Sequence, residues 1–255
     1  MKRIRHLIRE ICPPFLWKLS KKVLNGNKSI DNSGPEYQGV LTLHSMKNLH
    51  SGKFAEYYDK YIKLLPDTPS DSMRLRHYML CLFADLSKNI EGDFLIAGVS
   101  HGVASRIIYD YVDFDNLSKT FHFIDPFLGV DGWGKIKDNY NADIDFVRGQ
   151  YPPDAPIKIH KEFIPDCFPI NNLKALSFVH LNTAPGTWEV EAKSLKYLYS
   201  LLKPGGFIII DNYAVFSGYE SIYDPYIKQL SITPYTLITG QCVLFKPQEC
   251  LQENG

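Results

Sequence analysis

The segment from Leu202 to Tyr213 constrains the fold more than any other part of this chain. It reads Leu-Lys-Pro-Gly-Gly-Phe-Ile-Ile-Ile-Asp-Asn-Tyr, which predicts a helix that ends at a Pro-Gly-Gly turn and then a buried strand. The strand carries two polar side chains, Asp211 and Asn212, at its C-terminal tip. In an open α/β sheet, ligands bind outside the carboxyl ends of the strands. The segment therefore predicts an α/β fold with a ligand site at this tip.

From residue 92 onward, short apolar strands alternate with helical stretches. This alternation predicts a Rossmann-like, mostly parallel sheet with helices on both faces. Thr239-Gly240 separates the last two strands and predicts a C-terminal antiparallel hairpin. The predicted strands are residues 93–98, 120–125, 156–160, 175–182, 206–211, 232–238 and 241–246.

Two helices are expected before the first strand, near residues 52–64 and 71–88. Ser70 or Asp71 can cap the second helix, because short polar side chains accept hydrogen bonds from the first free backbone amides. The apolar residues of this helix recur at helical spacing and predict a wide buried face. Its predicted members are Leu75, Tyr78, Met79, Leu82, Phe83 and Leu86.

The N-terminal part of the chain differs from the rest in charge. Residues 1–28 carry eight Lys and Arg side chains and one acid, and apolar residues follow helical spacing there, so we expect a basic amphipathic extension. Residues 29–44 are linker-like, and residues 45–250 form the α/β domain. Residues 1–24 are typical of a peripheral anchor on anionic lipid, or of a helix that packs on the domain or on another subunit. In the second case the chain could form a homo-oligomer, and the sequence leaves this alternative open.

Charge and cysteine usage narrow the class of protein. Outside residues 1–28 the chain has 20 basic and 27 acidic side chains, which argues against a nucleic-acid partner. The five cysteines are scattered without a Cys-x-x-Cys pair, and no continuous apolar run forms a secretory signal or a membrane span. We expect a reduced, cytoplasmic setting.

The residues after the first predicted strand indicate a cofactor site. Glycines in the sequence Gly-Val-Ser-His-Gly allow close backbone approach to a ligand, and the following helix offers free amide donors. An acid ends the second strand, where it can accept hydrogen bonds from ribose hydroxyls. The absence of Gly-x-Gly-x-x-Gly argues against a dehydrogenase. The predicted cofactor-binding residues are Gly98, Ser100, His101, Gly102, Ser105 and Asp125.

Four segments together resemble the macrocin O-methyltransferase family of class I S-adenosylmethionine-dependent methyltransferases. They are Gly92-Asp93 with Ala97-Gly98-Val99, Ile124 to Gly129, Phe178 to Asn182, and Leu202 to Tyr213. The resemblance implies S-adenosylmethionine as cofactor and a sugar or glycoconjugate hydroxyl as methyl acceptor. Ile96 stands where the family has Glu before its glycine turn.

The same resemblance implies a magnesium site, from which this chain departs. The family's His-x-Asp-x-Asp strand end reads His180-Leu181-Asn182-Thr183-Ala184 here, and its Asp-Asp pair reads Asp211-Asn212. Mg²⁺ relies on carboxylate oxygens, and only one of the matched positions keeps a carboxylate. The sequence predicts a weakened metal site at Asn182, Asp211 and Asn212, or none, with these side chains contacting the acceptor instead.

Methyl transfer asks the protein mainly to position the acceptor oxygen and to help remove its proton. Asp211 is the first candidate for the base, because it lies at the predicted strand tip, and His180 and His101 are the others. We expect a sugar O-methyltransferase of polysaccharide or glycoconjugate biosynthesis at the inner membrane face. The lost carboxylates also suit an alternative, a non-catalytic binding or assembly protein with a vestigial metal site.

Overall fold

The computed structural model describes residues 46–65, 71, 73–128, 143–170, 173–183, 188–215 and 218–248. The predicted extension 1–28, the linker 29–44 and the capping candidate Ser70 lie outside the described residues. Among the helices that are described, none has the length and apolar character needed to cross a membrane.

The described elements alternate as the sequence predicts. The helices are α1 Lys47–His50, α2 Lys53–Tyr61, α3 Arg74–Ser87, α4 Val103–Tyr111, α5 Ile144–Arg148, α6 Trp188–Leu201 and α7 Glu220–Gln229, with 3₁₀ turns at Ile62–Leu64 and Phe114–Asn116. The strands are β1 Asp93–Ala97, β2 Phe121–Ile124, β3 Ile157–His160, β4 Leu176–Leu181, β5 Leu202–Ile210, β6 Tyr235–Thr236 and β7 Cys242–Phe245.

The seven strands form one sheet in the order β3-β2-β1-β4-β5-β7-β6. Strands β1 to β5 pair in parallel, whereas β7 pairs antiparallel with β5 and with β6. This confirms the predicted Rossmann-like sheet with an antiparallel C-terminal hairpin. The chain moves outward from β1 in one direction and from β4 in the other, so the topological switch point lies between β1 and β4.

Side chains of alternate strand residues enter two separate apolar cores, as the two-residue repeat of a strand requires. Phe94 and Ile96 pack with residues of α2, α3 and α4 on one face. Leu95 and Ala97 pack with residues of α6 and α7 on the other face. Both faces are therefore covered, which explains why the central strands read as almost continuous apolar runs.

The parallel registers bring the strand ends into one line. Ala97 is paired with Ile124 and with Leu181, and Leu181 is paired with Ile210. The residues that follow these strand ends, Gly98, Asp125, Asn182 and Asp211, continue the backbone ladder with N–H···O distances of 2.8 to 3.1 Å. The polar residues at the predicted tips therefore lie side by side at one edge of the sheet.

The predicted Pro-Gly-Gly turn is wrong in detail. Helix α6 ends at Leu201, and Pro204-Gly205-Gly206 lies within β5. Leu202 pairs with Leu176 but Phe207 pairs with Phe178, so five steps on β5 face two on β4 and the excess residues bulge out. Gly205, at a φ of +89°, permits this bulge because it has no side chain.

The predicted apolar face of α3 is only partly correct. Leu75 is buried, and Tyr78, Met79 and Phe83 pack against the core, but Leu86 is 62% exposed.

Two polar residues of the same helix, Arg76 and His77, are also buried, which an apolar spacing pattern does not reveal. The predicted cap is replaced by Met73, which makes no side-chain capping bond, while Asp71 binds Arg74 Nε at 2.7 Å.

Candidate active site

A cleft of about 390 Å³ opens beyond the ends of β4 and β5. Helix α3 forms one wall and the turn between β6 and β7 forms another. We call this space the cleft, and its lining includes Met73, Arg76, Asn182, Asp211, Asn212 and Gly240. Its size falls in the range of small-ligand sites, and its position at the carboxyl edge next to the switch point is where α/β folds bind ligands.

The turn Gly98–Gly102, called here the glycine turn, follows β1 beside the cleft. Gly98 adopts a φ of +87°, and a Cβ there would lie 1.9 Å from the backbone oxygen of Asn182. Only glycine allows β1 and β4 to approach so closely at their ends. The glycine turn and the cleft therefore meet at Asn182, whose backbone oxygen lies against Gly98 and which also belongs to the lining of the cleft.

Asp125 ties the glycine turn to the end of β2. Its Oδ2 accepts hydrogen bonds from the amides of Val99 at 2.8 Å and Ser100 at 2.9 Å, and its Oδ1 accepts one from Phe127 at 2.7 Å. A carboxylate has about four acceptor positions, so one remains for another donor. The half-buried Asp125 thus keeps the capacity to accept a ribose hydroxyl, which stays a prediction.

The other predicted cofactor residues separate into two groups by burial. Gly98 is half-buried and Ser100 is exposed, whereas His101, Gly102 and Ser105 are buried. Ser105 donates to the Gly102 carbonyl at 2.9 Å and accepts from Tyr151 at 3.0 Å, so its hydroxyl holds the first turn of α4. The structure therefore brings Gly98, Ser100 and Asp125 to the sheet edge, and it places Ser105 in the interior.

Asn182 and Asn212 meet across the tips of β4 and β5. Nδ2 of Asn212 donates to Oδ1 of Asn182 at 2.9 Å. Both residues belong to the lining of the cleft and both are half-buried. Amide groups donate and accept at the same time, so this pair presents mixed polarity to a hydroxyl-bearing ligand.

Asp211 lies beneath the two amides and is held on both carboxylate oxygens. Arg76 Nη2 donates to Oδ2 at 2.5 Å and also to the Asp211 backbone oxygen. Gln241 Nε2 donates to Oδ1 at 2.7 Å, and Gln241 itself accepts from Thr239 at 2.7 Å. The Arg76 and Asp211 side chains are each 5% exposed. A buried ion pair of this kind is costly to break from one side.

Burial alone would raise the pKa of Asp211, but the neighbouring Arg76 guanidinium and the nearby His180 ring outweigh it and hold the pKa well below its usual range. Such a carboxylate is charged at neutral pH and is a weak proton acceptor. This direction argues against the sequence expectation that Asp211 is the general base.

His180 lies deeper than expected for a residue that contacts a ligand. It is 1% exposed, and its Nε2 lies 3.4 Å from Asp211 Oδ1. Neither ring nitrogen makes a hydrogen bond to another described residue. His77 lies below the same edge, and burial lowers its pKa to about 4. His180 lies next to Asp211, whereas the His77 ring packs against Tyr58, and neither histidine belongs to the lining of the cleft.

A second buried carboxylate, Glu191, belongs to α6 and follows a different pattern. It accepts from the Thr183 amide at 2.8 Å, the Thr183 hydroxyl at 2.7 Å and the Tyr223 hydroxyl at 2.9 Å. Burial raises its pKa, since these donors are neutral and offset only part of the desolvation. Glu191 fixes the chain immediately beyond Asn182.

The residues present do not fit a magnesium ion. Asp211 offers the only carboxylate of the three matched positions, and its oxygens already accept from Arg76 and Gln241. The oxygen of Asn182 accepts from Asn212. Across the described ranges, no group of three or more His, Cys, Asp or Glu side chains is arranged to hold a metal. Ala184 lies outside the described residues.

Sequence reasoning missed Arg76 and Gln241, the two partners of Asp211. Arg76 precedes Asp211 by 135 residues, and no local motif marks either partner. A weak signal was available: a charged residue within the predicted apolar helix 71–88 has to find a partner when that helix is buried.

The family model described as Macrocin-O-methyltransferase (TylF) matches residues 68–247. No curated protein sequence is significantly similar to the chain.

Several solved structures share the fold at low sequence identity. The O-methyltransferase NovP superposes with a TM-score of 0.56 at 17% identity, covering 71% of this chain and 82% of that one. The Podospora anserina methyltransferase PaMTH1, bound to S-adenosylhomocysteine (SAH), gives 0.51 at 13%, covering 82% and 100%. CalS11, a TDP-rhamnose 3'-O-methyltransferase, gives 0.50 at 13%, covering 76% and 95%.

The family match spans more than half of the chain and includes both the glycine turn and the cleft. The chain belongs to the macrocin O-methyltransferase family and is an S-adenosylmethionine-dependent O-methyltransferase.

Proposed function

We propose that this enzyme transfers the methyl group to a hydroxyl of a sugar bound in the cleft. The single observation that carries the proposal is the contact between the two sites, because Asn182 lies against Gly98 with its backbone oxygen and also belongs to the lining of the cleft. A cofactor at the glycine turn and an acceptor in the cleft then lie next to each other. The TDP-rhamnose methyltransferase CalS11 supports a sugar acceptor.

The sulfonium of S-adenosylmethionine supplies an activated methyl group, so the protein has to bind and orient. We assign Gly98, Ser100 and Asp125 to the cofactor, since they are accessible at the sheet edge. His101 and Gly102 form the buried end of the glycine turn, and buried Ser105 supports that end by donating to the Gly102 carbonyl. The Asn182–Asn212 pair binds acceptor hydroxyls, because its amides both donate and accept.

Asp211 and His180 take positioning roles in this proposal. Asp211 keeps Arg76 at the floor of the cleft through the 2.5 Å ion pair, and His180 packs against Asp211 from below. The lowered pKa of Asp211 favours a fixed charge over proton transfer.

Glycoconjugate or polysaccharide assembly is the setting that we propose for this activity. The basic residues 1–28 suit anionic lipid at a cytoplasmic membrane face, where a lipid-linked acceptor would be assembled. Liposome sedimentation of the full chain and of a 1–28 deletion tests this part. Equal sedimentation on anionic vesicles would contradict it.

Methyl transfer can be tested with radiolabelled S-adenosylmethionine and a panel of nucleotide sugars that includes TDP-rhamnose. We expect a product one methyl group heavier than its sugar. Asn212→Ala should lower turnover while SAH affinity is unchanged, and Asn116→Ala, an exposed asparagine in the 3₁₀ turn Phe114–Asn116, is the matched control. SAH binding without methylation of any sugar would favour the non-catalytic alternative.

A further inference from the structure

A guanidinium group lies among the positions that the family resemblance assigns to a metal. Arg76 Nη2 is 2.5 Å from Oδ2 of Asp211 and 3.5 Å from Oδ1 of Asn212. The Asn182 oxygen accepts from Asn212. The oxygens that would coordinate an ion therefore face N–H donors of the protein itself.

Charge and burial make this arrangement incompatible with a divalent cation at the same place. The side chains of Arg76 and Asp211 are each 5% exposed, so water screens their fields poorly. A second positive charge within a few ångströms of the guanidinium would be strongly repelled. The Asp211 carboxylate neutralises the charge of Arg76, so no net negative charge remains at this place to attract an ion.

We propose that Arg76 supplies from the protein the positive charge that the family resemblance assigns to magnesium, and that it contacts the acceptor oxygen during methyl transfer. The inference rests on the proposed function, because it takes the acceptor hydroxyl to bind in the cleft. In this proposal Arg76 stabilises the negative charge that develops on the acceptor oxygen, and the reaction does not require a metal ion.

The position of Arg76 is fixed from two sides of the cleft. Nη1 donates to the Thr239 backbone oxygen at 3.2 Å, and Nη2 is held by Asp211. Nη1 carries two N–H groups and makes one hydrogen bond among the described residues, so the guanidinium of this cleft-lining residue retains donor capacity. A cation held rigidly before the reaction stabilises developing charge without reorganising.

The chemistry that this assignment requires is balanced. A lone pair of the acceptor oxygen forms the new O–CH₃ bond, and the CH₃–S bond breaks with its electron pair moving to sulfur. The hydroxyl proton passes to solvent water, so the products are a methyl ether, SAH and a proton. Negative charge builds on the oxygen as its proton leaves, and a nearby guanidinium stabilises that charge by a charge-assisted hydrogen bond.

The first test asks whether the wild-type chain with bound SAH captures Mn²⁺, an ion whose free form is counted by electron paramagnetic resonance. We expect the signal of free Mn²⁺ to be the same with and without equimolar protein. Capture of one Mn²⁺ per chain that Asp211→Asn abolishes would overturn the proposal. Capture that survives in Asp211→Asn lies outside the cleft and leaves the expected result at the cleft intact.

The second test restores carboxylates with and without the guanidinium. Asn182→Asp with Asn212→Asp should bind Mn²⁺ at least about tenfold more tightly when Arg76→Gln is added, because the competing positive charge is gone. Arg74→Gln in the same acidic background is the matched control, since it removes a buried arginine of α3 whose carboxylate partners are Asp59 and Asp71. Equal affinities in the Arg76 and Arg74 variants would overturn the proposal.

These measurements use no acceptor, so they are separate from the sugar test. Failure to methylate any sugar would contradict the proposed function, but the Mn²⁺ results could still be interpreted. Methylation of a sugar that depends on Mg²⁺ would keep the proposed function and end the assignment of Arg76. If the triple variant does not fold, the wild-type Mn²⁺ measurement still decides.

Discussion

The glycine turn and the cleft lie at the same sheet edge but are held by different kinds of contact. The glycine turn is held by backbone groups: Gly98 approaches the Asn182 carbonyl, and Asp125 accepts from two consecutive amides of the turn. The cleft is held by side chains from distant elements, with Arg76 of α3 and Gln241 next to β7 both binding Asp211.

The two kinds of contact tolerate different substitutions. The glycine turn depends on the backbone, so it accepts many changes of side chain but has no room for a Cβ at Gly98. The floor of the cleft depends on side chains, so it requires matched charges and hydrogen-bond partners.

The largest effect should come from Gly98→Ala. The new Cβ would overlap the Asn182 carbonyl oxygen at 1.9 Å, at a φ of +87°, so we expect a loss of about 5 kcal/mol in unfolding free energy. Urea denaturation measures it. Gly52→Ala is the control, because its φ of +82° and ψ of −168° are also rare for a residue with a side chain but nothing lies within 4 Å of the new Cβ; it should cost about 2 kcal/mol. Similar losses in both would show that strain, not strand approach, selects glycine.

Arg76→Gln should be next, with a loss of about 3 kcal/mol, because it leaves Asp211 charged and buried without its partner. Arg74→Gln should cost about 1 kcal/mol, since its partners Asp59 and Asp71 are 60% and 44% exposed and regain water. The same denaturation series compares them. If Arg74→Gln were the costlier change, the floor of the cleft would not depend on its ion pair.

His77 predicts a pH dependence below the cleft. Its pKa is about 4 in the folded protein against an ordinary 6.5. On acidification the unfolded chain therefore binds a proton first, and the free energy of unfolding decreases as the pH is lowered from 6.5 towards 4. The contribution of His77 should fall by about 2 kcal/mol between pH 7.5 and pH 5. His77→Phe should remove that part of the slope, whereas exposed His50→Gln should keep it. An unchanged slope in His77→Phe would contradict the assignment.

The smallest effect should come from an ion pair far from the cleft. Lys53 binds Asp113 at 2.6 Å, with side chains 42% and 60% exposed. Lys53→Met should change the unfolding free energy by no more than about 0.5 kcal/mol. A loss comparable with that of Arg76→Gln would remove the distinction between buried and exposed pairs on which the comparison depends.

Local patterns predicted the sheet and the strand tips well. The apolar run before Asp211 and the glycines after β1 are contiguous in sequence, and parallel pairing brings their ends to one edge. The sequence therefore predicts that Asn182, Asp211 and Asn212 lie together at that edge. The bulge at Gly205-Gly206 is not distinguishable from a turn in the sequence, because glycine permits either conformation.

The partners of the tip residues were not predictable from the same patterns. Arg76 is buried in a helix whose apolar spacing marks only the apolar members of the buried face, and it reaches Asp211 across 135 residues. A carboxylate at a strand tip looks the same in sequence whether it binds a metal, a proton or an arginine. Only the tertiary contact with Arg76 distinguishes these roles.

The decisive measurement is calorimetric titration of the wild-type chain with SAH, once in Mg²⁺ and once in EDTA. We expect micromolar binding with the same affinity in both, because the glycine turn and Asp125 hold the cofactor and Arg76 replaces the ion. Binding in neither solution would contradict the assignment of the cofactor to the glycine turn. Binding that requires Mg²⁺ would contradict the claim that Arg76 replaces the metal ion.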